Sequence, residues 1–157
     1  EFFLYKTVDV VINIISSTLK NYGIKLEIQI DKNIILKTYL NEYQQVLLNI
    51  INNAKDAVKE NVKNDEKLIF INTIKEDSSL IITIKDNGGG IPSNVVHRIF
   101  EPYFTTKNKS VGTGIGLSMS YKMLVERHNA TIDVSNEEYI YNNKNYKGAC
   151  FKIIFKQ

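Results

Sequence analysis

The chain has a single cysteine, Cys150, so no intrachain disulfide can form, which fits a reducing compartment. No apolar run approaches the ~20 residues that a membrane span needs. No signal peptide is visible, and the chain begins at Glu1 rather than at a methionine, so it reads as a fragment of something longer. No internal repeat is found. Charge of one sign is lacking too. The net charge of +3 is small and scattered, which gives no case for a nucleic-acid partner. What is present is ordinary for a globular protein: 43% hydrophobic and 24% charged residues. A length of 157 residues predicts one domain with its own core.

Hydrophobic spacing predicts the elements. Phe2 to Lys6 reads as a short strand. Val8, Val11, Ile12, Ile15 and Leu19 recur at helical spacing, so Thr7 to Asn21 reads as an amphipathic helix, stopped by Gly23. Lys25 to Asp31 alternates as a half-buried strand, and Asn33 to Thr38 is ambiguous. Asn41 is the predicted N-cap of the strongest helix, whose apolar face is Tyr43, Val46, Leu47, Ile50, Ile51, Ala54 and Val58. Lys67 to Ile74 and Leu80 to Ile84 read as an antiparallel hairpin. Val95 to Phe100 reads as a short helix and Gly114 to His128 as the third long one. Thr131 to Ser135 and Cys150 to Phe155 are strands around a loop, Asn136 to Lys147. The sum is a two-layer α/β sandwich: a mixed, mainly antiparallel sheet with three long helices on one face.

Two features carry chemistry. The stretch from Asp86 to Leu117 holds two glycine clusters, Gly88-Gly89-Gly90 and Gly112-Thr113-Gly114-Ile115-Gly116, around an aromatic segment. The second cluster runs into a helical pattern, which places amides at a helix N-terminus, a ready site for phosphate oxygens. The spacing fits neither the Walker nor the Rossmann loop, and two glycine-rich turns remain the plainer reading. Asp86 closes a strand just before a glycine turn, where a carboxylate can accept a hydrogen bond from a ligand. The segment Pro102 to Val111 is polar and reads as a mobile loop. The second feature is the pair Asn49 and Asn53, which share one helix face at i,i+4 although Asn disfavours helix interiors. They are either water-bonded amides or two oxygen ligands aimed at a metal or phosphate.

In this order and spacing the motifs resemble the catalytic and ATP-binding domain of bacterial sensor histidine kinases, within the wider GHKL ATPase superfamily (the Bergerat fold). NEYQQVLLNIINNAKDAV at Asn41 to Val58 is similar to the family's N box. DNGGGIP at Asp86 to Pro92 is similar to the G1 box, IFEPYFTTK at Ile99 to Lys107 to the F box, and GTGIGLSMS at Gly112 to Ser120 to the G2 box. The resemblance covers essentially the whole chain. It implies that Asp86 accepts a hydrogen bond from the adenine amine, with Gly88 and Gly90 in the turn beside it. Ile91, Leu117 and Phe151 would wall the purine. It further implies that Asn53 holds Mg²⁺, that Asn49 supports the phosphates or the metal's waters, and that Gly112, Thr113, Gly114, Ile115 and Gly116 cradle the phosphates. Thr106 and Lys107 would sit in a lid, with Lys107 available to the γ-phosphate.

Departures from the family pattern carry information. Asp56 stands where many members have Lys, which shifts weight to Lys107. Asn129 stands in place of a glycine, a mild change because Asn tolerates the left-handed region. Ala149 stands where many superfamily members carry Thr. Asn49 occupies the position of the Glu that serves hydrolysing members as general base, and an amide cannot take that role. Neither His97 nor His128 lies in a phosphoacceptor motif of the His-Glu-x-x-x-Pro kind, and both read as surface residues. The implied function is a cytoplasmic ATP- and Mg²⁺-dependent kinase domain of a two-component system. Its partners would be a helical phosphoacceptor and dimerisation domain of the same protein and a response regulator. The whole protein would be a homodimer and this fragment a monomer. The alternatives are an ATP-driven clamp or hydrolase, a Ser/Thr-directed kinase of the anti-sigma-factor type, and a non-catalytic interaction module.

Overall fold

The computed structural model describes residues 1–105 and 115–156. Among these the chain runs β1 (Phe2–Phe3), α1 (Leu4–Asn21), β2 (Ile24–Gln29), β3 (Ile35–Leu36), α2 (Leu40–Asn61), β4 (Lys67–Glu76) and β5 (Ser79–Asp86). A short 3-10 turn (Val96–Arg98) follows, then α3 (Gly116–Arg127), β6 (Ala130–Tyr141) and β7 (Lys144–Lys156). The main sheet has the order β2-β4-β5-β7-β6; only the β2–β4 pair is parallel. The expected mixed, mainly antiparallel sheet under three helices is what forms.

Alternation along the strands sorts the two faces. Ile69 and Ile71 of β4, Leu80, Ile82 and Ile84 of β5, and Phe151, Ile153 and Phe155 of β7 share one buried cluster with the apolar stripes of α1 and α2. Each such side chain, fully buried, contributes about 1.5–3 kcal/mol. Asp86 has the same parity as Ile84 and Ile82, so it too faces the helices, at the strand end where the apolar layer stops.

Several expectations need correction. Leu4 to Lys6 belongs to α1 and not to a strand, because Leu4 continues the stripe of Val8, Val11, Ile15 and Leu19. The strand keeps only Phe2–Phe3, and it pairs with β3 inside the stretch that looked ambiguous. Asn41 is not the cap of α2; the helix starts at Leu40 after Tyr39, with no side-chain cap bond. The long Asn136 to Lys147 loop is not a loop. β6 and β7 stay paired to a two-residue turn at Asn142-Asn143, both at positive φ (48° and 60°). Asn is one of the few residues that tolerates that geometry, which matches the right-handed twist of the strands. The resulting arm folds across the open face of the sheet. The Tyr141 hydroxyl donates to Glu27 of β2, the opposite edge strand, at 2.8 Å, and Lys144 pairs with Asp65. Tyr139 and Tyr141 both pack edge-on against Phe70, and the Lys85 ammonium lies 4.0 Å from the Tyr139 ring centroid. Cys150 lies buried on this face, and burial pushes its thiol up to about 11.

His128 is buried as well, not a surface residue. Its Nδ1 lies 2.6 Å from the Thr38 hydroxyl and its Nε2 3.3 Å from Glu42, which also binds Arg127 at 3.1 Å. This cluster clasps the C-terminus of α3 to the N-terminus of α2. His97 is exposed, as expected.

Candidate functional site

A cavity of about 750 Å³ opens between α2, the turn after β5, the start of α3 and β7. Of the residues singled out from sequence, Asn49, Asn53, Asp86, Gly88, Gly90, Ile91, Gly116, Leu117 and Phe151 all line it. Ile115 precedes α3 and does not. Thr106, Lys107, Gly112, Thr113 and Gly114, and with them most of the expected lid, lie outside the described residues.

Asp86 forms the floor. It is 2% exposed, and its Oδ1 accepts the Gly88 N–H at 2.8 Å and, more weakly, the Ala149 N–H at 3.4 Å. Burial pushes its carboxyl up to about 6, against those two N–H groups, which pull the other way. A half-titrating buried carboxylate in a cleft is the kind of group that binds a ligand donor. Gly148 is what lets β7 come so close. A Cβ there would stand 1.8 Å from the Asp86 carbonyl oxygen, so no other residue fits. Ile91, Ile99, Phe104, Leu117 and Phe151 supply apolar surface around this floor.

The far end of the cavity is polar and is built by α2. Asn49 is already engaged. Its Nδ2 donates to the Gly116 carbonyl at 3.2 Å and to Ser120 Oγ at 3.1 Å, while its Oδ1 accepts from Gln45 at 3.0 Å. The amide thus ties α2 to the first turn of α3. Asn53 donates its Nδ2 to the Asn49 carbonyl at 2.9 Å. That back-bond fixes the orientation of the Asn53 amide along α2, on the cavity wall. Asp56 lines the same wall, with Lys55 at 3.3 Å from its carboxylate. The arrangement can hold a flat apolar ring with one donor against Asp86 and an anionic group toward α2 and the N-terminus of α3.

Sequence reading missed four supporting residues. Buried Asn87 accepts the Leu68 N–H at 2.8 Å and donates to the Glu66 carbonyl at 2.6 Å, which pins the end of β5. Tyr139 and Asn136 bind the turn from the arm. Gly148 carried the one available signal, a glycine inside a strand pattern, which marks close backbone approach.

Comparison with known proteins agrees with the geometry. The family model described as histidine kinase-, DNA gyrase B-, and HSP90-like ATPase matches residues 39–157. Sporulation kinase A of Bacillus subtilis is 36% identical over 115 residues, which is 73% of this chain and 16% of that protein. The chain therefore spans about a sixth of the length of that relative. Among solved structures, the catalytic domain of histidine kinase ThkA superposes with a TM-score of 0.80 at 22% identity, covering 99% of this chain and 93% of that one. Histidine kinase ThkA in complex with response regulator protein TrrA gives 0.72 at 21% identity, covering 99% and 40%. With the family model spanning α2 through β7, the chain belongs to the histidine kinase-, DNA gyrase B- and HSP90-like ATPase family, and it is homologous to sensor histidine kinases.

Proposed function

We propose that residues 1–157 form the ATP-binding catalytic domain of a sensor histidine kinase, which passes the γ-phosphate of ATP to a histidine on a separate helical domain of the same protein. The observation that carries this reading is Asp86, a buried carboxylate at the apolar end of a cavity whose other end is polar. The adenine amine donates to Asp86, and Ile91, Leu117 and Phe151 flank the ring. Guanine presents a carbonyl at that place, so Asp86 rejects it by leaving two acceptors face to face.

The residues fit Mg²⁺. An amide oxygen from Asn53, phosphate oxygens and waters make the oxygen set that this ion prefers. When bound, Mg²⁺ neutralises charge on the phosphates. Asn49 contributes through position: it holds the N-terminus of α3 against α2, and so sets where the α3 amides meet the phosphates. Thr106 and Lys107 would close over the nucleotide, with Gly112, Thr113 and Gly114 leading into α3.

Phosphoryl transfer needs a placed acceptor more than added chemistry. Neither histidine of the chain suits that role. His128 is buried in its clasp, and His97 stands on a 3-10 turn outside the cavity lining. Asn49 cannot deprotonate water, which disfavours the hydrolase reading. The acceptor then comes from a helical dimerisation domain in the whole protein, and the phosphate passes on to a response regulator, in the cytoplasm where ATP is supplied. The structural neighbour ThkA is seen in complex with response regulator protein TrrA, which supports a response regulator as one partner.

The test is transfer of radiolabelled γ-phosphate, with the chain alone and then with the helical domain added as a second chain. The expected result is labelled histidine only in the mixture, with slow phosphate release by the chain alone. Rapid release by the chain alone would overturn the kinase reading in favour of the hydrolase.

A further inference from the structure

The turn after β5 has little stiffness of its own. Gly88, Gly89 and Gly90 follow one another, and Gly89 and Gly90 both sit at φ +88°. Beyond the Gly88 N–H bond to Asp86 Oδ1, its shape is held by the β6–β7 arm. The Lys147 carbonyl accepts the Gly89 N–H at 3.0 Å. The Tyr139 hydroxyl donates to the Asp86 carbonyl at 2.7 Å. The third hold is Asn136. Its Oδ1 accepts the Ile91 N–H at 2.8 Å and its Nδ2 donates to the Ile91 carbonyl at 2.7 Å. Two bonds to one residue is the pairing a neighbouring strand would make, supplied here by one planar amide. The fit is close: a Cβ on Gly90 would stand 2.7 Å from Asn136 Oδ1.

We propose that Asn136 is a positioning residue for the nucleotide: its side-chain amide holds Gly90 and Ile91 in the shape that receives the purine. The proposal rests on the nucleotide-binding reading above. Asn136 is not among the residues lining the cavity, whereas Gly90 and Ile91 are, so it acts through them. A turn already in shape does not have to be ordered when ligand arrives, and that ordering is otherwise subtracted from affinity. Asn136 is solvent-facing, so its removal leaves the core intact.

The experiment compares the wild-type chain with Asn136→Ala and Asn136→Asp. The Asp variant keeps the size and the acceptor but loses the donor and sets a carboxylate against the Ile91 carbonyl. Calorimetry with MgATP, thermal melting and amide exchange at Ile91 are measured on all three. Both variants are expected to bind ATP about tenfold more weakly. Ile91 exchange should be faster while the melting temperature is kept. In the kinase completed by its helical domain, KM for ATP should rise and kcat stay. ATP affinity within twofold of wild type in a folded variant overturns the proposal. So does a loss of affinity that only tracks a lowered melting temperature, with Ile91 exchanging like the rest of the sheet. A wild-type chain that binds no ATP overturns the nucleotide reading itself, and this proposal with it.

Discussion

Replacing Asp86 by Asn removes one buried charge and little else, and its effects on stability and on binding should run in opposite directions. In the free protein the carboxyl sits at about 6, against 3.8 for an ordinary Asp. Between those values the folded chain holds a proton that the unfolded chain has released. Stability therefore falls as pH rises through this window, by about 1.4 kcal/mol per unit of difference, or roughly 3 kcal/mol at most. Above pH 6 the buried carboxylate is a net cost to the fold. Asn can keep the acceptor for the Gly88 N–H and has no charge to bury. The variant should be the more stable protein at pH 8, by about 1–3 kcal/mol, which raises the melting temperature by about 2–4 °C per kcal/mol for a chain of this size. The difference should shrink as pH falls towards 4 and vanish below about pH 3, where wild type is protonated in both states. His128 shifts the other way: burial lowers its pKa, so the fold resists its protonation as pH falls. Comparing variant with wild type cancels that contribution.

Binding reverses the sign. A donor from adenine favours the ionised carboxylate, so wild-type affinity for ATP should rise with pH through 6. The variant should lose that dependence and bind more weakly at pH 8 by about 1–3 kcal/mol, roughly 5- to 150-fold. Calorimetric titration and thermal melts over pH 4–9 read both effects. A variant that melts lower at pH 8, or that binds ATP as well as wild type there, refutes the account of Asp86 as a strained acceptor kept for the ligand.

Two substitutions in the cavity wall and one in the His128 clasp give further expected outcomes. Asn53→Ala should remove the metal dependence of nucleotide binding while leaving the melting temperature nearly unchanged; ATP titrations with and without Mg²⁺ check this, and a preserved Mg²⁺ effect would make Asn53 a structural amide. Asn49→Glu should raise steady-state ATP hydrolysis by supplying a base, a role typically worth about 10²–10⁴-fold. Because Glu cannot donate to the Gly116 carbonyl, the same variant should lose about 1 kcal/mol of stability in denaturant titration. His128→Ala should cost about 2–3 kcal/mol, since it empties a buried site beside Tyr43 and takes away the partner of the Thr38 hydroxyl, whereas a surface histidine would cost under ~0.5 kcal/mol; urea unfolding separates the two.

Asn49, Asn53, Asp86 and the glycines of the cavity wall were legible in the sequence because their local pattern is odd. Two Asn on the face of a helix, a carboxylate at a strand end and glycines in runs each conflict with local propensity, and such conflicts gather at functional sites. The residues that hold those groups in place show no such conflict. Asn136 and Tyr139 look like loop composition. Their role appears only when β6 pairs with β7 as far as the Asn142-Asn143 turn and carries them over β5. His128 looks like a polar residue at a helix end, and it is buried only because Thr38, 90 positions earlier, comes within 2.6 Å of it. Asn41 gave the opposite error: a good capping residue one place inside a helix whose start is set by burial of Tyr43 and not by a cap. For Asn136, Tyr139 and His128 the deciding partner is distant in the chain. A single sequence records what a side chain can do, but pairing across tens of residues decides which group it meets. The floor of the cavity is therefore specified twice, once by Asp86 and the glycines themselves, and once by an arm whose sequence gives no local sign of the role. The second specification is the one that substitution at Asn136 isolates, since it leaves every cavity-lining residue unchanged.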